Sequence, residues 1–428
     1  MHARLGSQFP GHPSVRCRPV PVCTLFIDHL LCIQKCSMSD LSEKIKHSPS
    51  PDVSVVVPVR NGEGDIEECL RRIKRSVGCN FEIVVVNDAS TDRTRAIAEG
   101  LGVRVITLQE RSGPAVARNR AVRECEGEVV VFVDCDVMIR SDTLLQLKSE
   151  LAENQWAAVF GSYDRHPKAG NLVSVYKNLM HHFYHQGSSR QAQTFWSGCG
   201  AVRRDVFDQF GGFNEAFAMP SIEDIEFGMR ISKAGCVVGS VPEIQVQHTK
   251  QWTLKSLLYT DVFLRGIPWT RLMLQAGNIP DDLNVGRAQR VSVIIAGLIV
   301  CVFTVLVCLQ PALLLLPLCA LGLLFVTDVA TVRQTGRQLI LWIGAFLLLG
   351  LVVLSLVLQP LLALVFLGVA CIGIISHKSL RFLSAVGGVP FAILCLALHV
   401  TYFLYCGFSF AAGTVLHSLG IPFFREST

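Results

Sequence analysis

The chain has 428 residues, of which 50% are hydrophobic and 17% charged, with a formal net charge of +5. That length holds two or three domains with sizeable cores, and the absence of dense Lys/Arg runs interleaved with aromatics argues against nucleic acid as the main partner. The 16 cysteines are scattered without a Cys-x-x-Cys pair, a pattern of buried thiols rather than of a disulfide framework or a zinc site.

Residues 1–51 mix Pro, Arg, Cys and His without period, and the apolar stretch Val20 to Ile33 is broken by Asp28 and His29. It is too short to span a bilayer and carries no small-residue cleavage site. We expect an N-terminal extension that is disordered or lies upstream of a translation start at Met38.

From Asp52 short β-branched runs alternate with helical spacing. Strands are predicted at Val53–Pro58, Phe81–Val86, Val103–Leu108 and Val129–Val133, and helices at Ile66–Val77, Thr94–Leu101 and Ala115–Cys125. Continuous apolar strands separated by amphipathic helices imply an α/β domain with a mostly parallel sheet covered on both faces. Ligands of such sheets bind beyond the carboxyl ends of the strands, so the polar residues just after each strand are the candidates.

Three clusters occupy that position. The first is Pro58-Val59-Arg60-Asn61-Gly62-Glu63 and the second Asn87-Asp88-Ala89-Ser90-Thr91-Asp92. Their acids suit hydrogen bonds to a nucleobase or ribose, and turn or cap chemistry accounts for the same residues. The third, Asp134-Cys135-Asp136, follows Phe132-Val133 and places two carboxylates on one side of an extended segment. Two such acids without a basic neighbour repel and desolvate badly, which a divalent cation bridging them to a diphosphate relieves.

Farther on, Trp196-Ser197-Gly198-Cys199-Gly200 is small and flexible enough for close backbone approach to a ligand. Glu223 and Asp224 open a helix, where acids are favoured electrostatically; the other reading makes one of them a general base. His248 follows an apolar run and could complete a metal shell. His181, His182 and His185 share a helix, with His181 and His185 on one face. They suit an acceptor-side wall or simple packing, and a metalloprotease signature is missing.

Six motifs in order carry a specific resemblance: Val-Pro-x-x-Asn, Asn-Asp-x-Ser-x-Asp, Ala117-Arg118-Asn119, Asp-Cys-Asp, Gly-Cys-Gly-Ala-x-Arg-Arg-x-x-Phe and Glu-Asp-x-Glu-Phe-x-x-Arg. Over about Asp52 to Thr249 the chain resembles the family 2 glycosyltransferases of GT-A fold. The resemblance implies a nucleotide-sugar site formed by Pro58, Arg60, Asn61, Glu63, Asp88, Asp92, Arg118 and Asp134. It implies Mn2+ or Mg2+ held by Asp134 and Asp136, with His248 in reach. Asp224 would be the catalytic base supported by Glu223, with inversion at the anomeric carbon, and Gly198, Cys199, Gly200, His181 and His185 are assigned to the acceptor side. Asn87 stands where the family often has Asp, and the Gln-x-x-Arg-Trp motif of processive synthases is absent, which favours addition of one or few sugars.

Trp252 to Gln275 mixes Trp, Leu, Lys and Arg around Pro268, which must break or kink a helix. An interfacial amphipathic segment is expected over 251–288. Beyond it lie five apolar runs: Val291–Leu309, Pro311–Thr327, Leu339–Leu358, Leu361–Ser376 and Val386–Phe410. They predict a transmembrane domain over 289–416, after a catalytic domain over 52–250. Arg287 and Arg290, Arg333 and Arg337, and His377, Lys378 and Arg381 would share one side, which places catalysis on the cytoplasmic face of the inner membrane. The expected function is transfer of a sugar to a polyprenyl phosphate or lipid-linked glycan in cell-envelope biogenesis. The rivals are a non-catalytic membrane scaffold or lipid transporter, and a processive polysaccharide synthase.

Overall fold

The structure, a computed structural model, describes residues 50–277, 286–306 and 359–421. The expected extension before Ser50, the second and third apolar runs, and the end of the first run lie outside the described residues. The chain divides into two compact units, one of which is Val285–Ala411.

The first unit is built on a nine-stranded sheet. Its strands are β1 (Val53–Val59), β2 (Phe81–Asn87), β3 (Arg104–Thr107), β4 (Val129–Val133), β5 (Val137–Met138), β6 (Ala158–Tyr163), β7 (Gln191–Ala192), β8 (Cys199–Arg203) and β9 (Val238–His248). They are ordered β3-β2-β1-β4-β8-β6-β9-β5, with β7 beside β9. The pairs within β3-β2-β1-β4 are parallel, as expected. The sheet as a whole is mixed, however: β8 runs antiparallel between β4 and β6, and β5 and β7 run antiparallel to β9. β6 and β9 pair in parallel again, so the expectation of a mostly parallel sheet holds in full only for β3-β2-β1-β4. Helices still separate β5 from β6, β6 from β7 and β8 from β9, so the mixed order comes from the insertion of β8 between β4 and β6 and from the short edge strands β5 and β7.

Period-two alternation divides the valines of β1 between two cores. Val53, Val55, Val57 and Val59 face a layer containing Ile66, Leu70 and Ile73 of helix α1 (Ile66–Lys74). Val56 faces the opposite layer with Ala117 and Ala121. These alanines lie on α3 (Pro114–Val122), which follows α2 (Thr94–Gly100). The layer containing α1 is completed by α4 (Thr143–Asn154) through Leu144, Leu147 and Leu151. After α5 (Leu172–Gln186) and α6 (Arg204–Gln209), α7 (Glu223–Lys233) contributes Phe227 to the α3 layer. There it joins Phe132, Phe207 and Phe213 in a cluster of tilted and edge-on rings, a geometry that adds to their area burial. Ser54, the one polar residue of β1 on that ladder, is fully buried; its hydroxyl donates to Glu82 and accepts from the Gly127 amide.

Trp252 is buried beneath the ammonium of Lys250. A capping box between Thr253 and Ser256 then opens α8 (Leu254–Tyr259). A π-helical stretch, Thr260–Gly266, continues directly into α9 (Ile267–Ala276). Pro268 thus neither ends nor isolates the helix. It sits in the first turn of α9, where its fixed φ is tolerated, and the wider π turn absorbs the mismatch immediately upstream. Asp261 and Arg271 are buried along this segment, whereas Leu254, Tyr259 and Phe263 are exposed.

Among the described residues of the second unit, α10 (Arg287–Leu306) and α12 (His377–Ser418) are long and apolar enough to cross a membrane, and α11 (Gln359–Ile375) is a shorter apolar helix. The unit takes in α12 only as far as Ala411. Ala296, Ile372 and Phe403 form the core among them. The basic residues His377, Lys378 and Arg381, expected in a connecting loop, are helical. The break in α12 comes later, at Gly388 with φ +82°, two residues before Pro390.

Candidate active site

The loops after β1 and β2 are zipped together. Arg60 donates to the carbonyls of Asp88 and Ala89, at 3.0 and 2.9 Å. The Asn61 amide donates to Ser90 Oγ, and its side-chain carbonyl accepts from Thr91 N–H. Glu63 N–H donates to Asp92, and Glu63 accepts from Arg93 N–H. Pro58 is inside β1, in register with Val86. Much of the polarity of both loops is therefore spent on holding them to one another.

Asp88 has a comparable local task. Its two carboxylate oxygens accept the amides of Ser112 and Gly113, at 2.6 and 3.0 Å. Gly113 precedes α3 with φ +88°, and a Cβ there would lie 2.6 Å from the carbonyl of Ala218. Asp88 thus fixes the entry of α3, the helix that carries Arg118 and Asn119.

Arg118 is the centre of the cleft. Its guanidinium is buried and donates to Glu223 Oε1 at 2.8 Å and to Asp134 Oδ1 at 2.7 Å. Phe213 lies 5.6 Å beneath it, within cation–π range. Asn119 anchors Phe213 from both sides, donating to its carbonyl and accepting from its amide. The sheet order brings β4 and its acids beside β8, while Arg118 draws the start of α7 to the same place. Asp134, Glu223 and Asp224 are consequently neighbours, although 90 residues separate Asp134 from Asp224 in sequence.

The four acids experience different surroundings. Burial raises the Asp134 carboxyl; Arg118 opposes that shift and Asp136 reinforces it. Burial also raises Glu223, again against the pull of Arg118 and with the help of Asp224. Asp136 goes the other way: despite burial, His248 and Lys250 hold its carboxyl below the usual range. His248 is close to Asp136 because Val137 of β5 pairs with His248 at the end of β9; His248 Nε2 lies 3.7 Å from Asp136 Oδ2. Among the described residues no three His, Cys, Asp or Glu side chains form a metal cage. What is present is an oxygen-rich pair with one imidazole beside it, and each acid, contrary to the expectation of an uncompensated pair, has a basic neighbour: Arg118 for Asp134, His248 and Lys250 for Asp136. That set suits a hard cation taking its remaining oxygens from a substrate diphosphate.

Asp224 is held by Ser197, whose N–H and hydroxyl both donate to Oδ2 at 3.0 and 3.1 Å. Glu223 Oε2 accepts the Ser221 amide. Gly198 and Gly200 do make close approaches, but to protein: a Cβ on Gly198 would meet the Trp196 indole at 2.6 Å, and one on Gly200 the Trp196 carbonyl at 2.5 Å. Cys199 is buried in β8. His181 and His185 stack with ring centroids 4.0 Å apart. His181 lies against Tyr163, which also stacks in parallel on His248 at 4.2 Å. His185 Nδ1 faces the Gly161 carbonyl, and burial lowers its pKa to about 4. The histidine helix therefore backs onto the Asp136–His248 end of the cleft through Tyr163.

The sequence marks Ser197 only as part of a flexible turn and does not single out Tyr163. A lone serine in a glycine-rich turn and a tyrosine ending an apolar strand give no pattern of charge or spacing to mark them.

Residues 54–211 match the family described as Glycosyl transferase family 2. Over 118 residues the chain is 33% identical to the putative teichuronic acid biosynthesis glycosyltransferase TuaG of Bacillus subtilis, a match covering 26% of this chain and 47% of TuaG. Over 98 residues it is 42% identical to the poly(ribitol-phosphate) beta-N-acetylglucosaminyltransferase TarS of Staphylococcus aureus, covering 21% of this chain and 17% of TarS. The chain thus spans less than half the length of these curated relatives. Among solved structures, it aligns with the mannosyltransferase PcManGT from Pyrobaculum calidifontis, in complex with GDP-Man and Mn2+, at 18% identity and a TM-score of 0.43, covering 90% of this chain and 94% of that one. Residues 54–211 thus match a family 2 glycosyltransferase domain, set in a mixed α/β sheet; among the described residues, a helical region with two long apolar helices follows.

Proposed function

We propose that the chain is an inverting, divalent-cation-dependent glycosyltransferase that moves a sugar from a nucleotide donor to a membrane-associated acceptor of the cell envelope, a polyprenyl phosphate or lipid-linked glycan. The observation that carries this reading is the convergence on buried Arg118 of the acid after β4 and the acid pair opening α7. The names of TuaG and TarS support an envelope acceptor.

In this reading the nucleoside lies against the paired loops after β1 and β2, at the carboxyl ends of the parallel strands. The diphosphate extends toward Asp134 and Asp136. Bound there, with His248 in reach, Mn2+ or Mg2+ would neutralise charge on the departing nucleoside diphosphate. The acceptor oxygen attacks the anomeric carbon from the opposite face; the new C–O bond forms as the bond to the diphosphate breaks, and the leaving group takes the electron pair. Asp224 removes the proton when the acceptor is a hydroxyl, whereas an ionised phosphate acceptor brings none. Glu223 is engaged with Arg118 and Ser221, so it shapes the site and Asp224 is the group left to act on the acceptor.

Two features support an amphiphilic acceptor. A cavity of about 290 Å³ next to Ser221 is lined largely by apolar side chains, among them Phe217, Met219, Phe263 and Pro268. The segment that contains it buries Asp261 and Arg271 and exposes Leu254, Tyr259 and Phe263, a distribution suited to a bilayer surface. Multi-pass insertion of 289–416 in the inner membrane, with catalysis on the cytoplasmic face, completes the reading.

The test uses the full chain in detergent with Mn2+, undecaprenyl phosphate or, as the hydroxyl acceptor, undecaprenyl-diphosphate-linked N-acetylglucosamine, and, in turn, UDP-glucose, UDP-N-acetylglucosamine and GDP-mannose. One donor should give a lipid-linked sugar, and removing the metal with EDTA should stop the reaction. Asp224→Asn should lower turnover of a hydroxyl acceptor by about 10²–10⁴-fold, the usual worth of general base catalysis, and leave the nucleotide-induced thermal shift intact. Undiminished turnover in that variant would remove Asp224 from the mechanism.

A further inference from the structure

Ser197 is 2% exposed in the turn that leads into β8. Both of its donors reach the same atom, Asp224 Oδ2, with N–H at 3.0 Å and the hydroxyl at 3.1 Å. The other carboxylate oxygen, Oδ1, receives the amide of Ile225 at 2.8 Å, a contact made within the first turn of its own helix. The next residue faces the other way: the carbonyl of Gly198 accepts the Asp134 amide at 3.1 Å. A single dipeptide therefore ties the acid after β4 to the acid pair opening α7. Its place is fixed by Trp196, whose indole lies against Gly198 and packs edge-on against Tyr163 at 4.8 Å.

The terminal torsion of an aspartate is a broad, two-fold rotor. One amide contact sets the distance to a carboxylate without setting that torsion. Two donors from one rigid turn onto the same oxygen set both, and only serine or threonine supplies that pair. The geometry points to Ser197 as the positioning residue of the catalytic base: it occupies Oδ2 and leaves Oδ1 as the atom that takes the acceptor's proton. This inference rests on Asp224 being the base.

The test follows turnover of the full chain with a radiolabelled donor from the set above and a hydroxyl acceptor. A hydrogen bond to a charged group contributes about 1.5–3 kcal/mol, so Ser197→Ala should lower kcat by roughly 10- to 150-fold. The donor KM and the nucleotide-induced thermal shift should remain at wild-type values. Ser197→Thr, which keeps both donors, should restore most of the rate. In an Asp224→Ala background the serine has nothing to orient, so adding Ser197→Ala should cost nothing more. Should Ser197→Ala fold poorly, Ser197→Gly removes the hydroxyl with less disturbance and carries the same expectation. A wild-type kcat in the Ala or Gly variant overturns the inference, as does an equal further loss in the Asp224→Ala background. Full turnover by Asp224→Ala alone is a distinct result: it removes the base assignment itself, whatever the serine variants show.

Discussion

Arg118 illustrates how a side chain can organise a site without being free to bind a ligand. Its side chain is 4% exposed and that of Glu223 only 6%, so neither charge can turn to water if the other is lost. Breaking a buried pair from one side costs about 3–5 kcal/mol, because the survivor is left uncompensated. Arg118→Met should therefore lower stability by about that amount, read as a fall in the urea midpoint. Adding Glu223→Gln should recover part of the loss by removing the stranded charge; a midpoint that falls further with the second substitution would refute the pairing. The histidine helix gives a second prediction. His185 has its pKa lowered by burial to about 4, from about 6.5 when unfolded. The folded state thus resists the proton that the unfolded state accepts. Stability is complete above the unfolded value and falls as pH drops from about 6.5 toward 4, by about 1.4 kcal/mol per pH unit for this one group. His181 and His182, also lowered chiefly by burial, steepen the same limb. Urea midpoints between pH 7 and 5 should fall, and His185→Gln should make the slope shallower. At this scale the acids were legible in the sequence, because strand ends and helix starts announce themselves by pattern. How they are held was not: Ser197 grips Asp224, and Asn119 sets Phe213 beneath Arg118, through contacts made between distant parts of the chain.

The segment after Trp252 shows the same division for whole elements. Pro268 pointed to a kink, since it lacks the N–H that would fill the carbonyl four residues back. That carbonyl belongs to Leu264, and in the structure it accepts the hydroxyl of Ser221. The proline therefore frees an acceptor, and the loop next to the acid pair fills it. Ser221→Ala should cost about 1–2 kcal/mol by leaving a carbonyl short of a donor. In a Pro268→Ala background, where a main-chain N–H is restored, the same change should cost measurably less; equal costs in both backgrounds would separate the two residues. The proline was visible in the sequence, whereas the π-helical stretch that accommodates it was not, because it answers to packing around buried Asp261. The strands tell a similar story. The valine-rich runs located β1, β2 and β4 to within a residue or two. The antiparallel insertion of β8 was hidden, because its residues Cys199–Arg203 look like a small, flexible loop in sequence.

For the whole molecule the open question is which way the chain faces, and charge supplies the argument. Arg287 and Arg290 open the apolar half, Arg333 and Arg337 interrupt it, and His377, Lys378 and Arg381 interrupt it again. Lys and Arg are retained on the cytoplasmic side. If the Gln310-Pro311 and Gln359-Pro360 breaks are the turns on the far side, all three basic groups and the catalytic domain share the cytoplasm. The 30 residues from Val389 to Ser418, beyond the break at Gly388, then span about 45 Å at 1.5 Å per residue. That is more than the roughly 30 Å of hydrocarbon a helix must cross. The end of this helix, however, belongs to the compact unit of the catalytic domain, where Gly413 lies against Thr270 and Arg271 donates to the Ile421 carbonyl. The expected exit of the C-terminus on the far side is therefore corrected: the last helix returns the chain to the catalytic side. A phosphatase fused after Thr428 should accordingly be inactive, as should a fusion after Arg337, when expressed in a bacterium with a periplasm. The reverse pattern would place catalysis outside, away from the nucleotide sugars of the cytoplasm. Activity of the Thr428 fusion alone would put the C-terminus outside, which requires an odd number of crossings and loss of the Arg271–Ile421 contact.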